Sequence, residues 1–121
     1  VAVIVQTAPT AGTIGSDQTI CSGGDPAAFT SSVNGTGDGV ITYQWQSSLN
    51  NSSWSNISSA TSATYDAPTG LTVTTYYRRV ATSTLNGNAC AVNSSPVLVT
   101  VNPIPSVNTI SNQTVGSPRT W

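Results

Sequence analysis

Protein chemistry needs groups that ionise, ligate or attack, and this chain holds few of them. Its 121 residues contain no histidine, lysine or glutamate; the charged side chains are four aspartates and three arginines, and the thiols are Cys21 and Cys90. Without histidine, neither a Ser-His-Asp nor a Cys-His nucleophile can be assembled in its usual form. Two cysteines with no histidine do not complete a structural zinc site. Asp17, Asp25, Asp38 and Asp66 all stand in or beside turn signals (GSDQ, GGDP, TGDG, YDAP), where aspartate commonly bonds its own backbone. Calcium would require several converging carboxylates, so the loop around Asp38 reads as a plain turn. The expectation is no catalytic, cofactor-binding or metal-ligating residue.

Two features remain, the pair of arginines and the pair of cysteines. Arg78 and Arg79 are consecutive in TTYYRRV, and neighbours on a strand point to opposite faces. One arginine therefore shares a face with Tyr76 and Val80, the other with Tyr77, and the one nearer the core must find an acceptor, with Asp66 the candidate. Either arginine can stack on Tyr77 or Trp54 as a structural cation-π pair, or serve with Trp54 as a surface contact to a ligand. Cys21 and Cys90 allow a single intrachain pairing. The choice is between a disulfide and two buried thiols, and a secreted-looking composition favours the disulfide.

The composition sets the class. Charged residues make up 6% of the chain and the formal net charge is -1. No basic stripe is available to neutralise phosphates, which argues against a nucleic-acid partner. Ser, Thr and Asn supply a neutral hydrogen-bonding surface in place of charge. Disorder is disfavoured by three Trp, four Tyr and many β-branched residues in alternating runs. VAVIV lacks the basic region and long apolar stretch of a signal peptide, and no run approaches the ~20 apolar residues of a membrane helix. The expectation is a piece of a mature exported chain with no membrane insertion.

These residues must be carried by strands. ITYQWQ (residues 41–46) alternates strictly, placing Ile41, Tyr43 and Trp45 on one face, the signature of a half-buried strand. LTVTTYYRRVAT (71–82) and VLVTV (97–101) are the other strong runs, and NPIPS ends the last because proline cannot donate to a ladder. Weaker strands are expected at residues 1–5, 13–21, 27–33 and 62–65. SSLNNSS should turn the chain so that residues 44–47 pair with 54–57. About seven short strands without helical periodicity predict an all-β antiparallel sandwich. The expected core is Phe29, Ile41, Tyr43, Trp45, Ile57, Tyr65, Leu71, Val73, Val80, Val97 and Val99.

The two ends of the chain repeat each other. VAVIVQTAPTAGTI-GSDQTI at the start corresponds to VLVTVNPIPSVNTI-SNQTV near the end, an offset of about 96 residues, the size of one sandwich domain. Val1, Val3 and Val5 fall on Val97, Val99 and Val101, and Pro9 falls on Pro105. A tandem array follows: residues 1–6 as the last strand of a preceding repeat, 7–102 as one complete repeat, and 103–121 as the connector and first strand of the next. The Pro-containing connectors would be semi-rigid spacers.

Trp45 on a central strand, followed about thirty residues later by Tyr76 and Tyr77, resembles the immunoglobulin fold with its strand C tryptophan and tyrosine corner. More narrowly, DQTIC, TYQWQSS, SATSATY, TTYYRRV and SSPVLVTVNP resemble the Ig-like repeats of large Bacteroidota surface adhesins, similar to gliding-motility adhesins exported by the type IX secretion system. The resemblance covers about residues 7–105. It implies a tandem, extracellular, non-enzymatic stalk or adhesive repeat at the cell surface whose partners are neighbouring repeats. Surface glycans or substratum are possible further partners, with Trp54, Arg78 and Arg79 as contacts. The alternatives are a glycan-binding module built around Trp54 and the amides of residues 50–56, and a filament subunit in which residues 1–5 add a strand to a neighbour. The cysteines depart from the Ig pattern: a Cys21–Cys90 bridge would clamp one end of the sandwich.

Overall fold

The computed structural model describes residues 3–105. The expected opening of a further repeat at 106–121, and Val1 and Ala2, lie outside the described residues. The described residues form eight strands and no helix: β1 (Thr13–Ile14), β2 (Gln18–Cys21), β3 (Ser31–Val33), β4 (Val40–Ser48), β5 (Ser55–Asn56), β6 (Thr75–Leu85), β7 (Asn88–Asn93) and β8 (Val97–Asn102).

The main layer is a six-stranded sheet in the order β2-β8-β6-β4-β5, with β7 on β6. Its centre is the antiparallel pair β4–β6, registered from Val40 opposite Thr84 to Ser48 opposite Tyr76. Alternation along β4 turns Trp45 inward until it is fully buried, and its indole Nε1 donates to the Ser62 carbonyl at 2.8 Å. On β6 the inward row is Thr75, Tyr77, Arg79, Ala81 and Ser83. Asn86 and Gly87 then take φ of 52° and 79°, the left-handed pair that a two-residue type I′ hairpin demands, and β7 returns along β6. Ser94 to Pro96 interrupt that return, and β8 resumes it against the start of β6, with Thr75 opposite Val99. β2 lies parallel to β8, Gln18 opposite Val99 and Cys21 opposite Asn102.

The covering layer is thinner: β1 pairs with β3, and Phe29–Tyr65, Gly24–Leu71 and Thr10–Thr36 meet as single bridges. Between the layers lie Ile14, Phe29, Trp45, Ala60, Ala67, Tyr77, Val97 and Val99, with Ile20, Ile57, Tyr65 and Leu71 packed at the edge. The aromatic rings meet in a cluster, Phe29 4.9 Å from Tyr77 and 5.8 Å from Trp45, and Trp45 5.7 Å from Tyr65. Such pairs contribute about 0.5–1.5 kcal/mol each beyond burial. The protein is thus an all-β sandwich.

Several expectations need correction. β7 falls between the runs at 71–82 and 97–101, where no strand was expected, and residues 3–5 belong to no strand. Residues 62–65 and 71–73 form bridges at Tyr65 and Leu71 in place of continuous strands. Val73 is 52% exposed, because the ladder of β6 begins only at Thr75, whose hydroxyl donates to the Val73 carbonyl at 2.7 Å. Val80 is only half-buried and sits on the outward row of β6, since Arg79 takes the inward place beside it. Ile41 and Tyr43 are half-buried and lie outside the central cluster. Phe29, Trp45, Val97 and Val99 are buried as expected, with Ile57, Tyr65 and Leu71 packed against them.

Candidate functional site

Among the described residues, the outward face of the β4–β6 pair groups Arg78 with Gln46, beside Trp54. Gln46 and Arg78 stand directly opposite each other in the ladder, and Gln46 also pairs with Asn56 on β5. Arg78 Nε donates to Gln46 Oε1 at 2.7 Å, and Gln46 Nε2 donates to Asn56 Oδ1 at 2.8 Å. The guanidinium lies 4.3 Å from the centre of the half-buried Trp54 ring. Loss of water on this surface pulls the Arg78 pKa below its ordinary value, yet an arginine remains a cation at neutral pH. The platform can offer planar donors and amides to a polar ligand. It holds no nucleophile and no group that titrates near neutrality.

An arginine on Trp54 is one of the four stacks that the sequence leaves open, and Arg78 makes it; Gln46 and Asn56, which orient it, are not among the candidates. Their signal was the alternation of β4 and β6, but only the register shows that Gln46 meets Arg78. Asn50 is unavailable to a ligand through its carbonyl oxygen, which accepts from the Ser52 and Ser53 amides at 2.9 and 2.8 Å and so holds its own loop. That loop borders a shallow hollow of about 320 Å³.

Arg79 is no surface contact: its side chain is fully buried. Nη1 donates to Ser31 Oγ at 2.7 Å and the Ala63 carbonyl at 2.8 Å, while Nη2 donates to the carbonyls of Ala11 at 2.9 Å and Val33 at 3.1 Å. The guanidinium also stacks 4.4 Å over the Tyr43 ring, and its Nε has no partner. Asp66 is not among the acceptors. Burial lowers the pKa of Arg79 and the phenol of Tyr43 opposes that shift. One side chain of β6 thereby ties together β3, the segment before β1 and the segment at Ala63. Its own amide donates to Ser94 Oγ at 2.9 Å, which fixes the break between β7 and β8.

The expected disulfide is also corrected. Cys21 and Cys90 are free thiols, the first exposed and the second half-buried. Cys21 lies opposite Asn102 at the exit end of β8, whereas Cys90 lies opposite Ser83 toward the far end of β6. Following the register through Val99 and Thr75 separates them by roughly 35 Å at about 3.3 Å per residue, and a bridge requires Cα atoms within about 7 Å. No clamp closes this sandwich.

Two aspartates accept from distant backbone, not from their own turns: Asp17 from the Leu98 amide at 2.9 Å and Asp38 from the Thr7 amide at 2.6 Å. Among the described residues no group of three or more potential metal ligands converges.

No curated protein and no solved structure matches the chain. A family profile described as a domain of unknown function, DUF8696, matches residues 10–103. That span takes in all eight strands, and the chain belongs to the DUF8696 family.

Proposed function

We propose that this domain is a non-enzymatic structural or adhesive repeat, a stalk or spacer in a large bacterial surface protein. The observation that carries the reading is the repetition of the β8 strand and its exit, VLVTVNPIPS, as VAVIVQTAPT about 96 residues earlier. Two facts support it. Val3, Ile4 and Val5 are 86%, 66% and 83% exposed and join no strand of this domain, as expected of a segment whose partners belong to a preceding unit. The family match at residues 10–103 also falls within three residues of the 7–102 unit at each end.

The Ig-like reading is supported by strand order. A strand parallel to the last, then antiparallel neighbours, with a central tryptophan packed on the covering layer, is the arrangement of such sandwiches. The resemblance to Bacteroidota adhesins motivates an extracellular location and a role in adhesion or gliding motility. A second reading, a glycan-binding module, is favoured by the Trp54–Arg78 platform with its two ordered amides. Titrating neutral and uronic-acid oligosaccharides into the isotopically labelled protein separates the two. A spacer leaves the spectrum unchanged, and saturable shifts confined to Gln46, Trp54, Asn56 and Arg78 would overturn it.

A further inference from the structure

The chain does not enter this domain on a loose tether. Gln6 is half-buried, and its primary amide meets one donor and one acceptor: Ser83 Oγ donates to Gln6 Oε1 at 3.3 Å, and Gln6 Nε2 donates to the Asn88 carbonyl at 2.8 Å. Ser83 is itself fully buried and accepts from the Gly39 amide at 2.9 Å, so its hydroxyl proton is directed toward Gln6. The next residue, Thr7, donates its amide to Asp38 Oδ2 at 2.6 Å. Asp38 sits in a loop pressed onto β6, since a Cβ on Gly39 would run into the Thr84 carbonyl. Thr10 then exchanges backbone hydrogen bonds with Thr36 at 2.8 and 3.1 Å. Beyond the clip, Ile4 and Val5 line a hollow of about 320 Å³ with Leu85, Asn86 and Cys90 at the hairpin end.

We propose that Ser83, the Asn88 carbonyl and Asp38 form a socket that docks the incoming connector and so fixes the direction of the preceding repeat. This rests on the tandem reading. The occupant is the end of the last strand of another copy of the domain, because Val1 to Val5 align with Val97 to Val101. An amide followed by a free N–H is what the socket reads: carbonyl oxygen to the serine, amide nitrogen to the hairpin, backbone N–H to the carboxylate. The same alignment places Asn102 and Pro103 at the positions of Gln6 and Thr7. Asparagine is one methylene shorter, and proline has no N–H to give. The joint after this repeat therefore lacks the carboxylate bond, and successive joints along the array differ in stiffness.

Backbone ¹⁵N relaxation on the whole chain tests the socket. The expected result is order parameters of about 0.8 or more at Gln6, Thr7, Ala8 and Thr10, equal to those of β6, against values under about 0.6 for a free arm. In a chain carrying both Gln6→Ala and Asp38→Ala the values at Gln6 and Thr7 should fall below about 0.6 while the amide shifts of Trp45 and Tyr77 hold. Asp38→Asn, which keeps an acceptor, should leave them high. Low order parameters at residues 6 and 7 in the unsubstituted chain would overturn the socket, as would no response to the double substitution. If repeats recur upstream and residues 6 and 7 are nevertheless mobile, the socket fails and the tandem reading stands. If the segment is rigid and no repeat precedes it, the tandem reading fails alone.

Discussion

Arg79 holds the two layers together, and replacing it with methionine measures by how much. Methionine has similar reach and no charge. The substitution removes four hydrogen bonds from one guanidinium, to Ser31, Ala63, Ala11 and Val33. Hydrogen bonds to a charged group contribute about 1.5–3 kcal/mol each, but dehydrating the cation costs several kcal/mol in return. The Ala11 carbonyl is left buried without a donor, at about 1–3 kcal/mol; the other three acceptors lie nearer the surface and recover part of their loss through water. The expected net loss is about 2–4 kcal/mol, a fall in Tm on the order of 10–25 °C for a domain of this size. Arg79→Lys should lose nearly as much, because an ammonium is a point donor and cannot reach acceptors on both sides as the planar fork does. Urea unfolding followed by Trp fluorescence reads both variants. A methionine variant as stable as the parent would refute the reasoning, for the bonds would then only balance the burial of the charge.

Other consequences follow from single contacts. Both thiols should react with Ellman's reagent in the folded protein, Cys21 faster than Cys90, and a double serine variant should shift Tm by only a few degrees; loss of the ~2–4 kcal/mol of a disulfide would contradict the free thiols. Gly12 has φ of 72° and a Cβ there would meet the Val33 carbonyl, whereas Gly23 has φ of 84° and open space around it. Gly12→Ala should therefore cost clearly more than the ~1 kcal/mol of backbone strain expected for Gly23→Ala, and equal urea midpoints would contradict this. Burial raises the phenol pKa of Tyr77, with Tyr65 adding to the shift and the Thr75 hydrogen bond opposing it; burial and then Asp66 raise that of Tyr65. Folded values above the unfolded value of about 10 mean that the unfolded chain releases its protons first. The stability from the neutral phenols is complete below about pH 10 and is lost as pH rises through the folded values, so the urea midpoint should fall above pH 10, less steeply in Tyr77→Phe. A midpoint that holds or rises there would contradict the assignment.

How much was legible depended on how far a residue's fate is settled locally. Trp45, Val97 and Val99 could be read because the period of a strand ties side-chain identity to one face, and each sits in a run with a single apolar row. β6 offers two rows, Thr75-Tyr77-Arg79-Ala81-Ser83 and Tyr76-Arg78-Val80-Thr82, each with one arginine. Hydrophobicity cannot choose between them. The choice is made by four acceptors from three distant segments, which is why Val80 was expected inside while the sequence left open which arginine faces the core. The Asn86-Gly87 hairpin signal was present in the sequence, but NACAVN has too little β-branched character to read as a strand. The separation of the cysteines is a matter of topology: the parallel pairing of β2 with β8 carries Cys21 to the exit end, and no local feature of DQTIC records that. The Trp54–Arg78 stack was foreseeable as a pair of residue types, whereas its amide partners depended on register.

The most direct measurement is the covalent one: the sequence of the intact protein, on either side of this segment. A tandem array requires further copies of YQWQ and TYYRR at spacings of about 95 residues, with Val-rich strands and Pro-containing connectors at each junction. Flanking sequence without such copies, or a chain that ends with this unit, would contradict it.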